Sequence, residues 1–268
     1  MGPIAAIDSH AHLDDAAFDA DRAAVVAAAN EAGVRQIVNV GYNPERWRTT
    51  IALTRRWPNV FAMFGLHPHD AALWSPELRD ELATMLDTEP AAAIGEIGLD
   101  YFRNKAAPAI QREAFAAQLD LARRRDLPIV IHQRAAEADL IDVLQGYVDL
   151  PPVVLHSFDG TARLSRFAQA RDYYAGVGGL ATRPANESLR AILATFPLSS
   201  IVLETDAPNL TPAGVRARRN EPAFLIATAN RLASLWQVEP ATLLAASGET
   251  TRQLFRLPQP AAAGGARS

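Results

Sequence analysis

The chain has 268 residues, 49% hydrophobic and 21% charged, which suits one globular domain with a large buried core. Its formal net charge of −4 excludes a global attraction to polyanions, although a local basic patch or a bound cation can still dominate at one site. With no cysteine, disulfides, thiolate ligands and a cysteine nucleophile are excluded, and any metal must be held by nitrogen and oxygen.

Short apolar runs alternate with helix-like stretches along the chain. In chain order the sequence predicts strand Ile4–Asp8, helix Asp21–Glu31, strand Gln36–Val40, helix Pro44–Trp57, strands Phe61–Gly65 and Ala92–Glu96, and helix Ala107–Arg125. Strand Pro128–His132, helix Glu137–Leu144, strands Val153–His156 and Tyr173–Gly176, helix Ser188–Phe196, strand Ile201–Glu204 and helix Pro222–Leu235 follow. Gly33 is a C-terminal stop for the first helix, and Pro58 ends the second. Strand–helix alternation implies parallel strands joined by right-handed crossovers, and eight such units in about 250 residues is the size of a closed (β/α)8 TIM barrel. An open doubly wound sheet is the alternative, but its outer strand ends would not converge on one point. The barrel is expected to occupy 1–257, and the Pro/Ala/Gly-rich segment 258–268 is expected to be a disordered tail. No basic segment followed by a long apolar core opens the chain, and no apolar stretch approaches a membrane span of ~20 residues, so a cytoplasmic location and no membrane partner are expected.

The polar residues that close these runs carry the functional signal. Asp8-Ser9-His10-Ala11-His12 ends the first strand, where alternate side chains share a face, so His10 and His12 point inward together. Taken alone, this pair is equally a turn with two solvated histidines. Glu96, His132, His156 and Asp206, however, each close a separate later run. Glu96 lies between Gly95 and Gly98, where backbone approaches closely and a buried carboxylate needs cations or hydrogen-bond donors. Glu204, two residues before Asp206, is placed to face the same way, either to orient a histidine or as an ordinary buried partner for Thr or Arg. Six ligands, including a carboxylate able to bridge, suggest two divalent cations about 3.5–4 Å apart, which activate water and neutralise charge on a phosphoryl or carbonyl oxygen. Zinc, manganese and magnesium all suit nitrogen and oxygen donors.

Basic and polar groups share this end of the strands. Arg134, Arg103, Lys105 and the loop residues Arg216, Arg218 and Arg219 suit an anionic substrate such as a phosphodiester, with a solvated loop charge as the plainer reading of each alone. His67 is placed to touch substrate, His69 is expected to be exposed, and Arg123–Arg125 falls at the opposite end as surface.

Taken together, Asp8–Asp14, Gly65–His69, Gly95–Tyr101, His132, His156-Ser157-Phe158, Glu204–Pro208 and Arg219–Pro222 resemble the TatD-type metal-dependent hydrolases of the amidohydrolase-like barrels, from about Ile4 to Phe255. The resemblance implies a barrel with one to three divalent cations and metal-dependent DNase activity, often exonucleolytic. It places His10, His12, Glu96 and Asp206 on a first cation, and Glu96, His132 and His156 on a second. It makes Asp206 the base for the attacking water and Glu204 a support for the metal site, so that Asp206, Glu96 and Glu204 form the expected catalytic set. Substrate contacts fall to His67, Arg134, Arg218 and Arg219. The chain departs from the family at Tyr173–Gly179, where relatives usually carry an Ile-Ser-Phe-like stretch, and at Asp159, an added acid beside the site. The expected reaction is hydrolysis of nucleic-acid phosphodiesters at single-stranded or frayed DNA ends. A small ester or amide, or an aminoacyl-RNA ester, is the second reading, and a non-catalytic metal-binding scaffold the third.

Overall fold

The computed structural model describes residues 6–260. Ile4 and Ala5 of the expected first strand, and residues 261–268 of the expected tail, lie outside the described residues. β1 (Ala6–Ala11), α1 (Arg22–Glu31), β2 (Val34–Gly41), α2 (Pro44–Arg56), β3 (Val60–Phe64), α3 (Pro76–Thr88), β4 (Ala93–Asp100) and α4 (Pro108–Arg125) form the first half. β5 (Ile129–Arg134), α5 (Glu137–Gln145), β6 (Val153–Leu155), α6 (Ala162–Gln169), β7 (Tyr174–Val177), α7 (Glu187–Leu193), β8 (Ile201–Leu203), α8 (Leu225–Leu232) and α9 (Pro240–Leu254) complete it. The strands pair in chain order, all parallel, in one eight-stranded sheet. Between β1 and β8 the seam is closed by an Ala11–Ala207 bridge, by Asp206 N–H to His10 O (2.9 Å) and by His12 N–H to Ala207 O (2.7 Å). The fold is the (β/α)8 barrel.

Alternation along the strands sorts the two cores. Ile7, Val38, Val40, Met63, Val130, Val154 and Val202 form one buried cluster, which is closed at the N-terminal floor by Leu254, Phe255 and Leu257. Ile37, Phe64, Ile94, Ile129, Ile131, Val153 and Leu203 belong to the larger layer under the helices. Gln36 donates to the Pro258 carbonyl at 2.9 Å, so contacts to the barrel run one residue past the expected boundary at 257. Helix starts follow local chemistry: Asn43 and Ser75 cap α2 and α3 through the Arg46 and Leu78 N–H groups, with proline in the first turn of each.

Three helices, α3, α6 and α9, were not among the predicted elements, and the expected Pro222–Leu235 helix is α8 flanked by 3₁₀ turns at Pro222–Phe224 and Ala233–Trp236. Among the described residues no helix is long and apolar enough to cross a membrane.

Candidate metal centre

One irregularity in β4 builds the centre. Ile94 and Ile97 both pack in the outer layer although three residues apart, because the β4–β5 register shifts between them. That slip turns Glu96 into the barrel mouth, where strict alternation would have sent it outward. Gly98 makes the return possible: at φ +137° it sits where a Cβ would lie 2.1 Å from the His132 carbonyl oxygen.

Glu96 stands among the histidines. Its Oε1 lies 2.6 Å from His132 Nδ1, 3.6 Å from His67 Nε2 and 3.8 Å from His156 Nε2, while Oε2 lies 3.4 Å from His10 Nε2. Asp206 Oδ1 is 3.2 Å from His12 Nε2 and 3.9 Å from both His10 Nε2 and His156 Nε2. The His10 and His156 rings stack with centroids 3.5 Å apart. All six expected ligands therefore converge, from β1, β4, β5 and the turns after β1, β6 and β8. Asp206 and Ser157 hold these turns with φ of +57° and +43°, a left-handed conformation uncommon outside glycine that clusters at functional sites.

A second row of carboxylates orients the rings. Glu204 Oε1 is 3.0 Å from His156 Nδ1 and accepts the Ser157 N–H at 2.6 Å. Asp100 Oδ2 lies 3.1 Å from His132 Nε2 and 2.8 Å from His69 Nε2. Neither Asp100 nor this role of His69 was expected. Asp100 was visible in the sequence as the acid closing Gly98-Leu99-Asp100, but only the strand pairing brings it to His132.

Burial and charge set the protonation states. Burial alone would raise Glu96, but the surrounding His67 and His156, with His10 and His132 close beside it, hold it well below the usual carboxylate range. Asp206 is likewise held low against burial, by His12 and then His156. Burial would lower His132 and His156, yet the Asp100 and Glu96 carboxylates lift His132 to about 9, and Glu204 and Glu96 lift His156 to about 10. His10, buried and beside His156, is lowered. Burial brings His67 down to about 4, so it is neutral at pH 7. Its Nδ1 accepts the His69 N–H at 3.0 Å, which leaves the proton on Nε2. His67 thus presents a donor toward the centre.

The residues fit divalent cations. His10, Glu96 and His156, then His10, His12 and Asp206, then His67, Glu96 and His132 each place ligand atoms within 4.8 Å of one another. His10 Nε2 and Glu204 Oε2 are buried without a hydrogen-bond partner, as suits groups that face or support a cation. The nitrogen and oxygen donors suit zinc, manganese or magnesium.

Above the centre lies a cavity of about 710 Å³. Arg103, Lys105, Arg134 and Arg183 line it, and so do His67 and the acids Asp15, Asp70 and Asp159. Arg183 follows the 3₁₀ turn Gly179–Thr182 beyond β7, outside the loops whose basic residues marked them in the sequence. The exposed Asp159 carboxylate accepts a hydrogen bond from Gln133 Nε2 at 2.9 Å. Arg219 is corrected: its guanidinium is committed to both Asp21 oxygens (2.7 and 2.6 Å), Glu221 and the Ala17 carbonyl, and lies over the Phe18 ring. It does not line the cavity, and neither does the exposed Arg218 or Arg216. The sequence put these residues in the right loop but could not show which way they turn.

A parallel barrel with histidines and carboxylates gathered at its strand ends defines a metal-dependent hydrolase. The chain belongs to the family described as TatD related DNase, whose profile matches residues 7–256. It is 36% identical over 250 residues to the 3′-5′ ssDNA/RNA exonuclease TatD of Cronobacter sakazakii, covering 91% of this chain and 95% of that one. It is 30% identical over 251 residues to the metal-dependent hydrolase YabD of Bacillus subtilis, covering 93% and 98%. The crystal structure of the Escherichia coli TatD homologue YjjV superposes with a TM-score of 0.88 at 32% identity, covering 94% of this chain and 98% of that one.

Proposed function

We propose that this protein trims the ends of single-stranded or frayed DNA, hydrolysing phosphodiesters with two divalent cations held at the barrel mouth. The observation that carries this reading is Glu96, whose two oxygens face different histidines: Oε2 toward His10, Oε1 toward His132. That is the arrangement a bridging carboxylate requires. By the family resemblance, His10, His12, Glu96 and Asp206 would hold the first cation, and Glu96, His132 and His156 the second. When bound, such a pair lowers the pKa of water and offsets charge that builds on the phosphoryl oxygens.

The chain's own residues supply the rest. Asp206, ionised at neutral pH, takes the proton of the attacking water. Glu204 and Asp100 fix the His156 and His132 rings. His67 donates its Nε2 proton to a substrate phosphate oxygen, and Arg134 with Arg103 and Lys105 draws the polyanion into the cavity. The exonuclease relatives support attack from a 3′ end and acceptance of RNA as well as DNA. A cytoplasmic location and a single catalytic unit over 1–257 belong to the same proposal.

The test is cleavage of end-labelled single-stranded DNA and RNA by metal-stripped protein, with Mg, Mn and Zn each added back and Glu96→Ala as control. Stepwise metal-dependent shortening by wild type alone is the expected result. No cleavage by protein that binds cations would overturn it in favour of a small ester, an amide or an aminoacyl-RNA ester.

A further inference from the structure

Phe102 is out of place for a phenylalanine. Its residue is 62% exposed, in the turn that leaves β4 above the catalytic end of the barrel. The Arg134 guanidinium carbon lies 3.9 Å from the ring centroid, covering one face. Arg134 itself lines the cavity, and so do Arg103 and Lys105, one and three residues after Phe102.

The turn is held rigidly. The β4–β5 ladder runs on to pair Asp100 with Arg134, and the Tyr101 N–H donates to the Arg134 carbonyl at 2.9 Å. Gln111 accepts the Asp100 N–H at 2.8 Å and donates to the carbonyls of Asp100 (3.1 Å) and Ala106 (2.7 Å), pinning both ends of the loop. The Arg103 N–H donates to Asp100 Oδ1 at 2.8 Å, and the Tyr101 hydroxyl to Asp139 at 2.7 Å. Packing does not explain the ring's exposure, because its neighbours in the loop are tied down while the phenyl face is left out.

We infer that Phe102 and Arg134 form a stacking platform for a nucleobase of single-stranded nucleic acid, beside the path along which Arg103 and Lys105 hold phosphates. This rests on the nuclease reading above and adds to it a contact for the base itself. A flat aromatic ring with a cation behind it takes any base by its π-face, and only an unpaired base has that face free. The platform therefore selects unpaired strands without reading sequence.

The experiment compares a single-stranded oligodeoxynucleotide with one of equal length carrying abasic residues near the cleaved end. Both kcat/KM and binding to metal-stripped protein, the latter by fluorescence anisotropy, are measured for wild type, Phe102→Ala and Phe102→Trp. The platform predicts that Phe102→Ala loses about 10- to 100-fold on the natural strand, mostly in KM and in binding, and loses the preference for natural over abasic strand. Phe102→Trp restores both. Retention of that preference in Phe102→Ala, or equal losses on the two strands, would overturn the platform and leave the nuclease reading standing. A wild type that neither binds nor cleaves the natural strand would overturn the nuclease reading, and the platform with it.

Discussion

Glu204 Oε1 sits 3.0 Å from His156 Nδ1 and accepts the Ser157 N–H at 2.6 Å, so one buried carboxylate meets both the imidazole proposed as a ligand and the backbone that carries it. Loss of such a partner typically costs 10- to 100-fold in metal affinity or activity. Glu204→Gln is therefore expected to weaken metal binding by about 10- to 100-fold while the protein stays folded. Gly176→Ala acts on the same group from behind, since its Cβ would lie 2.4 Å from Glu204 Oε2. Metal titration checks both, and wild-type affinity in the two variants would remove Glu204 from its positioning role.

Asp206→Asn keeps the shape of the side chain but cannot take a proton. Turnover is expected to fall by about 10²- to 10⁴-fold with circular dichroism and melting temperature near wild type. Wild-type-like turnover would end the assignment of Asp206 as base.

Metal and protons compete at this centre. In the metal-free protein the neighbouring carboxylates lift His132 to about 9 and His156 to about 10, so both rings carry a proton at pH 7 that a cation must displace. Metal uptake is expected to release protons and to tighten as pH rises from 7 toward 10. Calorimetric titration in buffers of different ionisation enthalpy counts the released protons. The sign reverses for the stability of the metal-free protein. Raised folded-state values stabilise fully below the ordinary histidine value near 6.5, and that contribution is lost as pH climbs through 9 to 10. Metal-stripped protein should therefore melt at lower temperature at pH 10 than at pH 7.

The arginines divide by where they point. Arg134→Ala is expected to weaken oligonucleotide binding more at low salt than at high salt, and to reduce the salt slope by about one. Arg219 is a clamp on Asp21 stacked over Phe18, so Arg219→Ala should leave the slope unchanged and cost about 1 kcal/mol or less of stability, as partly exposed ion pairs do. A slope that falls with Arg219 instead would return that residue to the substrate path.

How far the sequence could be read follows from the range of the forces involved. Strand ends were legible because alternation is local, and His10, His12, Glu96, His132, His156 and Asp206 each close an apolar run. The signals of helix α3 are equally local, with Ser75 as cap, Pro76 behind it and Leu78, Leu82 and Leu86 buried on one face. The inward turn of Glu96 was not legible, because it depends on a register slip against β5. Nor was the Asp100 link to His132 and His69, which joins β4, β5 and the 3₁₀ turn after β3, or the direction of Arg219, which is set by Asp21 at a separation of 198 residues.

The most direct test of the account titrates metal-stripped wild type and Glu96→Ala with manganese or zinc, reading bound equivalents and cleavage of single-stranded DNA in the same samples. Wild type is expected to take up two cations, with cleavage appearing as the second site fills, while Glu96→Ala binds less tightly and does not cleave. Cleavage that is indifferent to added metal, or that survives in Glu96→Ala, would contradict a nuclease centre bridged by Glu96.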